Sequence, residues 1–98
     1  MAKGDIADRL RALRKQPGFC PVWTYHAEVE RLPEYDLDKL SCERVVKNGF
    51  MHSPEINMDG QETIHVGGNV DGQMVDIVVC VRECQGEDIA VIVTVKPK

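Results

Sequence analysis

The sequence predicts an α+β domain, in which two or three N-terminal helices pack on one face of a curved, mainly antiparallel sheet of three to four strands. Two observations predict it. Up to Gly49, apolar residues recur at helical spacing, as at Ile6, Leu10 and Leu13. From about Glu62 to Lys96 they recur at every second position, in three Val/Ile-rich stretches separated by turn residues.

The first helix is expected from an Asp5 N-cap to about Lys15, ended by Gln16-Pro17-Gly18. Phe19 to Thr24 is short and apolar, suited to an edge strand or an extended entry. Tyr25 to Leu32 reads as a short helix stopped by Pro33. Asp36 is expected to cap a third helix from Leu37 to Asn48, burying Leu37, Leu40, Val45 and Val46, with Asn48-Gly49 as its end signal. Phe50 to Ile56 reads as a strand interrupted by Pro54. Asn57-Met58-Asp59-Gly60 is a turn with the Asp-Gly hairpin signal. Strands follow at Glu62 to Val66, Met74 to Arg82 and Asp88 to Val95, with Gly67-Gly68 read as turn chemistry.

With 98 residues there is room for one domain. It is expected to comprise a helical extension over 1–18 and an α+β core over 19–98. The hydrophobic content of 43% is that of a globular chain. A net charge of −4 argues against a general nucleic-acid binder and leaves room for an enzyme that grips a few phosphates locally. The start of the chain is charged and no apolar run reaches the length of a membrane span, so a cytoplasmic protein with reduced thiols is expected.

Side chains alternate across a strand, which gives the sheet two unequal faces. Val75, Ile77, Val79 and Val81, with Ile89, Val91, Val93 and Val95, are expected to face the core. The opposite face carries Asp76, Val78, Cys80 and Arg82, with Ala90, Ile92, Thr94 and Lys96. One allowed register places Asp76 opposite both His65 and Thr94, forming a polar row with Arg82 and Lys96 nearby. An ordinary solvated sheet face explains the same residues.

His26 opens a helix among Glu28, Glu30 and Arg31, and histidine transfers protons near neutral pH; a capping or packing role is the alternative. His52 precedes Ser53-Pro54 and reads as a loop residue. The three histidines lack the spacing of a metal motif, so neither metal nor cofactor is expected. Cys80 and Cys84 with a histidine form a competing metal or redox reading, against which Cys42 and Cys80 read as small buried hydrophobes. Neither a phosphate-binding G-x-x-x-x-G-K-[ST] loop nor a G-x-S-x-G elbow occurs.

Tyr25-His26-Ala27 leads a helix with Arg31, and a second helix ends in Val45-Val46-Lys47-Asn48-Gly49. A meander then runs through Ile64-His65-Val66-Gly67 and closes on Ile92-Val93-Thr94-Val95. From about Val22 to Lys96 this order resembles the bacterial family labelled domain of unknown function 4258. That family is similar to the RelE-like ribonuclease toxins and, more distantly, to MqsR-type toxins. The resemblance implies a RelE-like fold, metal-independent RNA cleavage, and an antitoxin-like protein partner. His26 and Thr94 carry over by motif position. Arg31 carries over with a departure, because the family's arginine more usually sits one position nearer the histidine. His65, Arg82 and Lys96 join the candidates from the sheet-face argument. The alternative function is a non-catalytic interaction module or homodimer, docking through the sheet edge or the amphipathic first helix.

Overall fold

In the computed structural model, which describes residues 5–98, five strands form one sheet in the order β1-β5-β4-β3-β2. They are β1 (Val22–Trp23), β2 (Phe50–Ile56), β3 (Glu62–Val70), β4 (Gln73–Cys84) and β5 (Glu87–Pro97). This corrects the expected sheet of three to four strands. The added strand is β1, which pairs parallel to β5 and makes the sheet mixed. It also precedes the later helices, so the helices do not form one N-terminal block. The Val22-Trp23 pair is too short to carry an alternating pattern, which is why the sequence left it open.

Helix α1 (Ile6–Arg14) begins as expected, with the Asp5 side chain accepting from Asp8 N at 2.9 Å. It is no extension, because Ile6, Leu10 and Leu13 are buried in the common core. Arg9 clamps it to the β4–β5 hairpin through two bonds to Asp88, at 2.7 and 3.1 Å. Arg14 hydrogen-bonds the carbonyls of Lys47 and Gly49 at the end of α3 (Lys39–Asn48). The α3 cap is Asp38, which accepts from Ser41 N at 2.9 Å. Asp36 instead ends the preceding helix in a left-handed conformation, φ 53°. The shifted start leaves Leu40 64% exposed, while Cys42, Val45 and Val46 are buried.

Pro33 does not stop the second helix. A wide π-turn over His26–Arg31 runs into α2 (Leu32–Tyr35), and Leu32 N donates to Ala27 O, five residues back. Proline then falls in the first turn of α2, where its missing N–H goes unneeded.

Gly67 and Gly68 lie inside β3, and the turn comes later, at Asp71-Gly72. Both residues there have positive φ, 51° and 86°, as a two-residue hairpin loop requires. The reason for glycine at 68 is packing. A Cβ there would stand 2.8 and 2.9 Å from the methyls of Val45 on α3. Gly68→Ala is expected to push α3 off the sheet and cost about 1–3 kcal/mol. A urea unfolding midpoint equal to that of the parent would contradict this.

The core face on β3 and β4 is as expected, with Ile64 opposite Val79 and Val66 opposite Ile77. On β5 it is not. Val78 pairs with Thr94 and Val79 with Ile92, so Val93 is an extra residue, a β-bulge. Beyond it the alternation inverts. Ala90 and Ile92 enter the core beside Val95, while Val91 and Val93 leave it. Among the described residues no helix is long and apolar enough to cross a membrane.

Candidate functional site

The bulge positions the first cluster. It presents the Val93 carbonyl at the β1 side, where Thr24 Oγ1 donates to it at 3.1 Å, and Thr24 N donates to Ile92 O at 3.1 Å. The same threonine oxygen accepts from Ala27 N at 3.2 Å and so fixes the start of the π-turn. His26 is thereby set beside Thr94, with His26 Nε2 3.4 Å from Thr94 Oγ1. Arg31 Nε donates to the same Nε2 at 3.0 Å. A guanidinium only donates, so Nε2 is the unprotonated nitrogen. The proton sits on Nδ1, which donates to Glu30 Oε2 at 2.6 Å. In an α-helix a residue five positions on lies about 140° around the axis, on another face. The wider π-turn brings both Glu30 and Arg31 over the His26 ring.

The second cluster stands on the face of the sheet away from the core. The observed register is displaced from the expected row. His65 lies opposite Val78, Val78 opposite Thr94, and Asp76 opposite Gly67 and Lys96. His65 and Asp76 meet on the diagonal instead, with Nδ1 2.5 Å from Oδ2. Thr94 does not join them. Neighbouring strands stand about 4.8 Å apart, so the His65 and Thr94 positions, two strands apart, are separated by roughly 10 Å.

His52 is a strand residue opposite His65, not a loop residue, and its Nε2 lies 2.8 Å from Asp76 Oδ1. Two imidazoles therefore share one carboxylate whose side chain is only 7% exposed. Glu55 Oε1 takes the other nitrogen of His65 at 3.0 Å, and Ser53 Oγ the other nitrogen of His52 at 2.9 Å. The sequence reading missed His52 and Glu55 because the register breaks between them, at Ser53-Pro54. The alternation of Phe50 and His52 about inward-facing Met51 was the available signal.

A carboxylate at each nitrogen of His65 favours the imidazolium. Burial pulls its pKa down, but the bonds and charges of Asp76 and Glu55 outweigh burial and leave it raised. Burial pushes the Asp76 carboxyl up, and the two histidines outweigh that, leaving it lowered. His65 therefore adds stability that is complete below its unfolded value of 6.5 and is lost as pH rises through the raised folded value. Asp76 adds stability present above 3.8 and lost as pH falls through its lowered folded value. In buffer containing a chelator, the stability difference between the parent and His65→Gln is expected to be greatest between these limits and to shrink above pH 6.5. Urea titrations across pH check this, and a difference independent of pH would refute it.

The remaining candidates are dispersed. Lys96 is exposed beside Asp76. Arg82 is exposed near the far end of β4, four positions from Val78 and so about 13 Å along the strand. Cys80 and Cys84 are separated by the same four positions, one buried and one exposed, too far apart to share an ion. Burial pushes the Cys42 thiol up to about 11, which leaves it inert. Ile6 and Leu10 are buried, so α1 offers no apolar docking patch there.

No protein-family model, curated protein or solved structure matches this chain.

Proposed function

We propose that the His26 cluster cleaves RNA without a metal, in the manner of the RelE-like toxins that the sequence resembles. The observation that carries this is the convergence of an acceptor imidazole nitrogen, a guanidinium and a hydroxyl at one point, His26 Nε2. His26 takes the proton of a ribose 2′-hydroxyl as general base, with Glu30 holding the ring by Nδ1. The 2′-oxygen attacks the adjacent phosphorus, and Arg31 and Thr94 donate to the phosphate oxygens as charge develops there. The 5′-oxygen leaves with a proton from solvent, which reaches a His26 side chain that is 43% exposed. The products are a 2′,3′-cyclic phosphate and a free 5′-hydroxyl.

The π-turn supports the resemblance as well. Arg31 departs from the family pattern by one extra position after the histidine, and a π-turn accommodates one extra residue while keeping the two side chains together. Tyr25, next to His26 and 74% exposed, offers a ring face for stacking an unpaired base. The test is cleavage of single-stranded RNA in the presence of a chelator, with an all-deoxy strand as control. Cleavage of the deoxy control, or no cleavage of RNA either alone or with ribosomes, would refute the reading. An antitoxin-like partner belongs to the same proposal.

A further inference from the structure

We propose that His52, His65 and Asp76 form a binding site for one divalent transition-metal ion, of which Zn²⁺ is the working example. The proposal is separate from the cleavage reading, because it shares no ligand with the His26 cluster.

Two imidazole nitrogens and one carboxylate are a recurrent three-ligand set for zinc and its neighbours in the first transition row. The three ligand atoms already lie within 4.8 Å of one another. Donors around a tetrahedral zinc stand about 3.3 Å apart, given bonds of about 2.0–2.1 Å. The close pairs, at 2.5 and 2.8 Å, are hydrogen-bonded now and need to open by less than an ångström.

Each imidazole has a polar partner on the nitrogen that would point away from the ion. Glu55 Oε1 accepts from His65 Nε2, and Ser53 Oγ faces His52 Nδ1. Such outer partners fix the tautomer and ring plane of metal-bound histidines. His52 carries its proton on Nδ1, where Ser53 Oγ accepts it, and His65 releases its Nδ1 proton to solvent as the ion binds.

The face of the sheet also leaves room for an ion. Gly67 stands between the ligands, and a Cβ there would come 3.8 Å from His52 Nε2. Its missing side chain leaves a gap on the face of the sheet through which an ion enters and a fourth ligand from solvent completes the shell. The gap also receives the Lys98 ammonium, 3.5 Å from that same point. Lys98 is exposed and ends a flexible stem, so it can withdraw as the ion arrives.

The experiment is titration of the chelator-treated protein with Zn²⁺ by calorimetry and with Co²⁺ by visible absorption. One ion per chain is expected, with Co²⁺ giving the d–d bands of a low-coordinate nitrogen and oxygen site. His52→Gln, partly exposed and so safe for folding, is expected to weaken Zn²⁺ binding at least 10-fold. Glu55→Gln should weaken it about 10- to 100-fold through ring orientation. Lys98→Ala should tighten it and His26→Gln leave it unchanged. Absence of stoichiometric binding, or equal affinity in parent and His52→Gln, would overturn the proposal. So would binding lost on His26→Gln. Because both titrations read binding directly, their outcome does not depend on whether the protein cuts RNA.

Discussion

His26→Ala is expected to lower the rate of RNA cleavage by about 10²–10⁴-fold, the usual contribution of a positioned general base. The size of the effect follows from how completely the ring is fixed. Glu30 holds Nδ1 at 2.6 Å, and Arg31 and Thr94 both face Nε2. Alanine removes the proton acceptor and leaves Arg31 held by Glu34 alone. Glu30→Gln keeps a partner at Nδ1 and should cost less than His26→Ala. Arg31→Lys retains a charge but loses the flat fork of donors, and should be nearly as damaging as alanine at 31. Fold loss is not expected from any of these, since the His26 side chain is 43% exposed. Single-turnover cleavage of a short labelled RNA, beside unfolding curves for each variant, separates the two effects. Unchanged cleavage in His26→Ala would end the assignment.

Leu10→Ala is expected to have the largest effect on stability, about 3–5 kcal/mol. Leu10 is fully buried and belongs to the same apolar cluster as Val66, Val79 and Ile92. A hole there opens between α1 and the sheet, and the sheet is too tightly paired to collapse into it. For a domain of this length the loss should lower Tm by roughly 15 °C or more. Since a small domain has only about 5–15 kcal/mol in all, much of the stability goes with this one side chain. Differential scanning calorimetry gives the answer. A fall of a degree or two would show that α1 is an appendage, as the sequence suggested.

The contrast between those two readings of α1 shows what the sequence carries. Its helix was legible from the Ile6, Leu10 and Leu13 spacing and the Asp5 cap, because both are local signals. Its place in the core was not, because burial depends on what the sheet presents in return. The hairpin strands were likewise legible from alternation, and the two-faced sheet with them. The bulge at Val93 was hidden, because Val91, Ile92 and Val93 are interchangeable by pattern and only the pairing shows which one is extra. That single residue turned the expected core face of β5 over. The π-turn was hidden for a related reason, since one surplus residue leaves no mark on composition. The resemblance points to His26 and Thr94, with Arg31 one position out of pattern, and the surplus residue in the turn is what sets Arg31 over the His26 ring. His52 was set aside because Pro54 argued against a strand there, although β2 carries the proline on an edge, where a missing donor is tolerated.

That same edge bears on how the molecule keeps to itself. Long open strands invite copies of a chain to add on to one another, and Phe50 and Ile56 are exposed on β2. Yet β2 is broken midway by Ser53, with φ 52°, and by Pro54, so it offers no continuous row of donors and acceptors for a stranger to pair with. The opposite border, β1, is two residues long. Growth of the sheet by self-templating is therefore hindered along β2, where the break denies an incoming strand a continuous ladder.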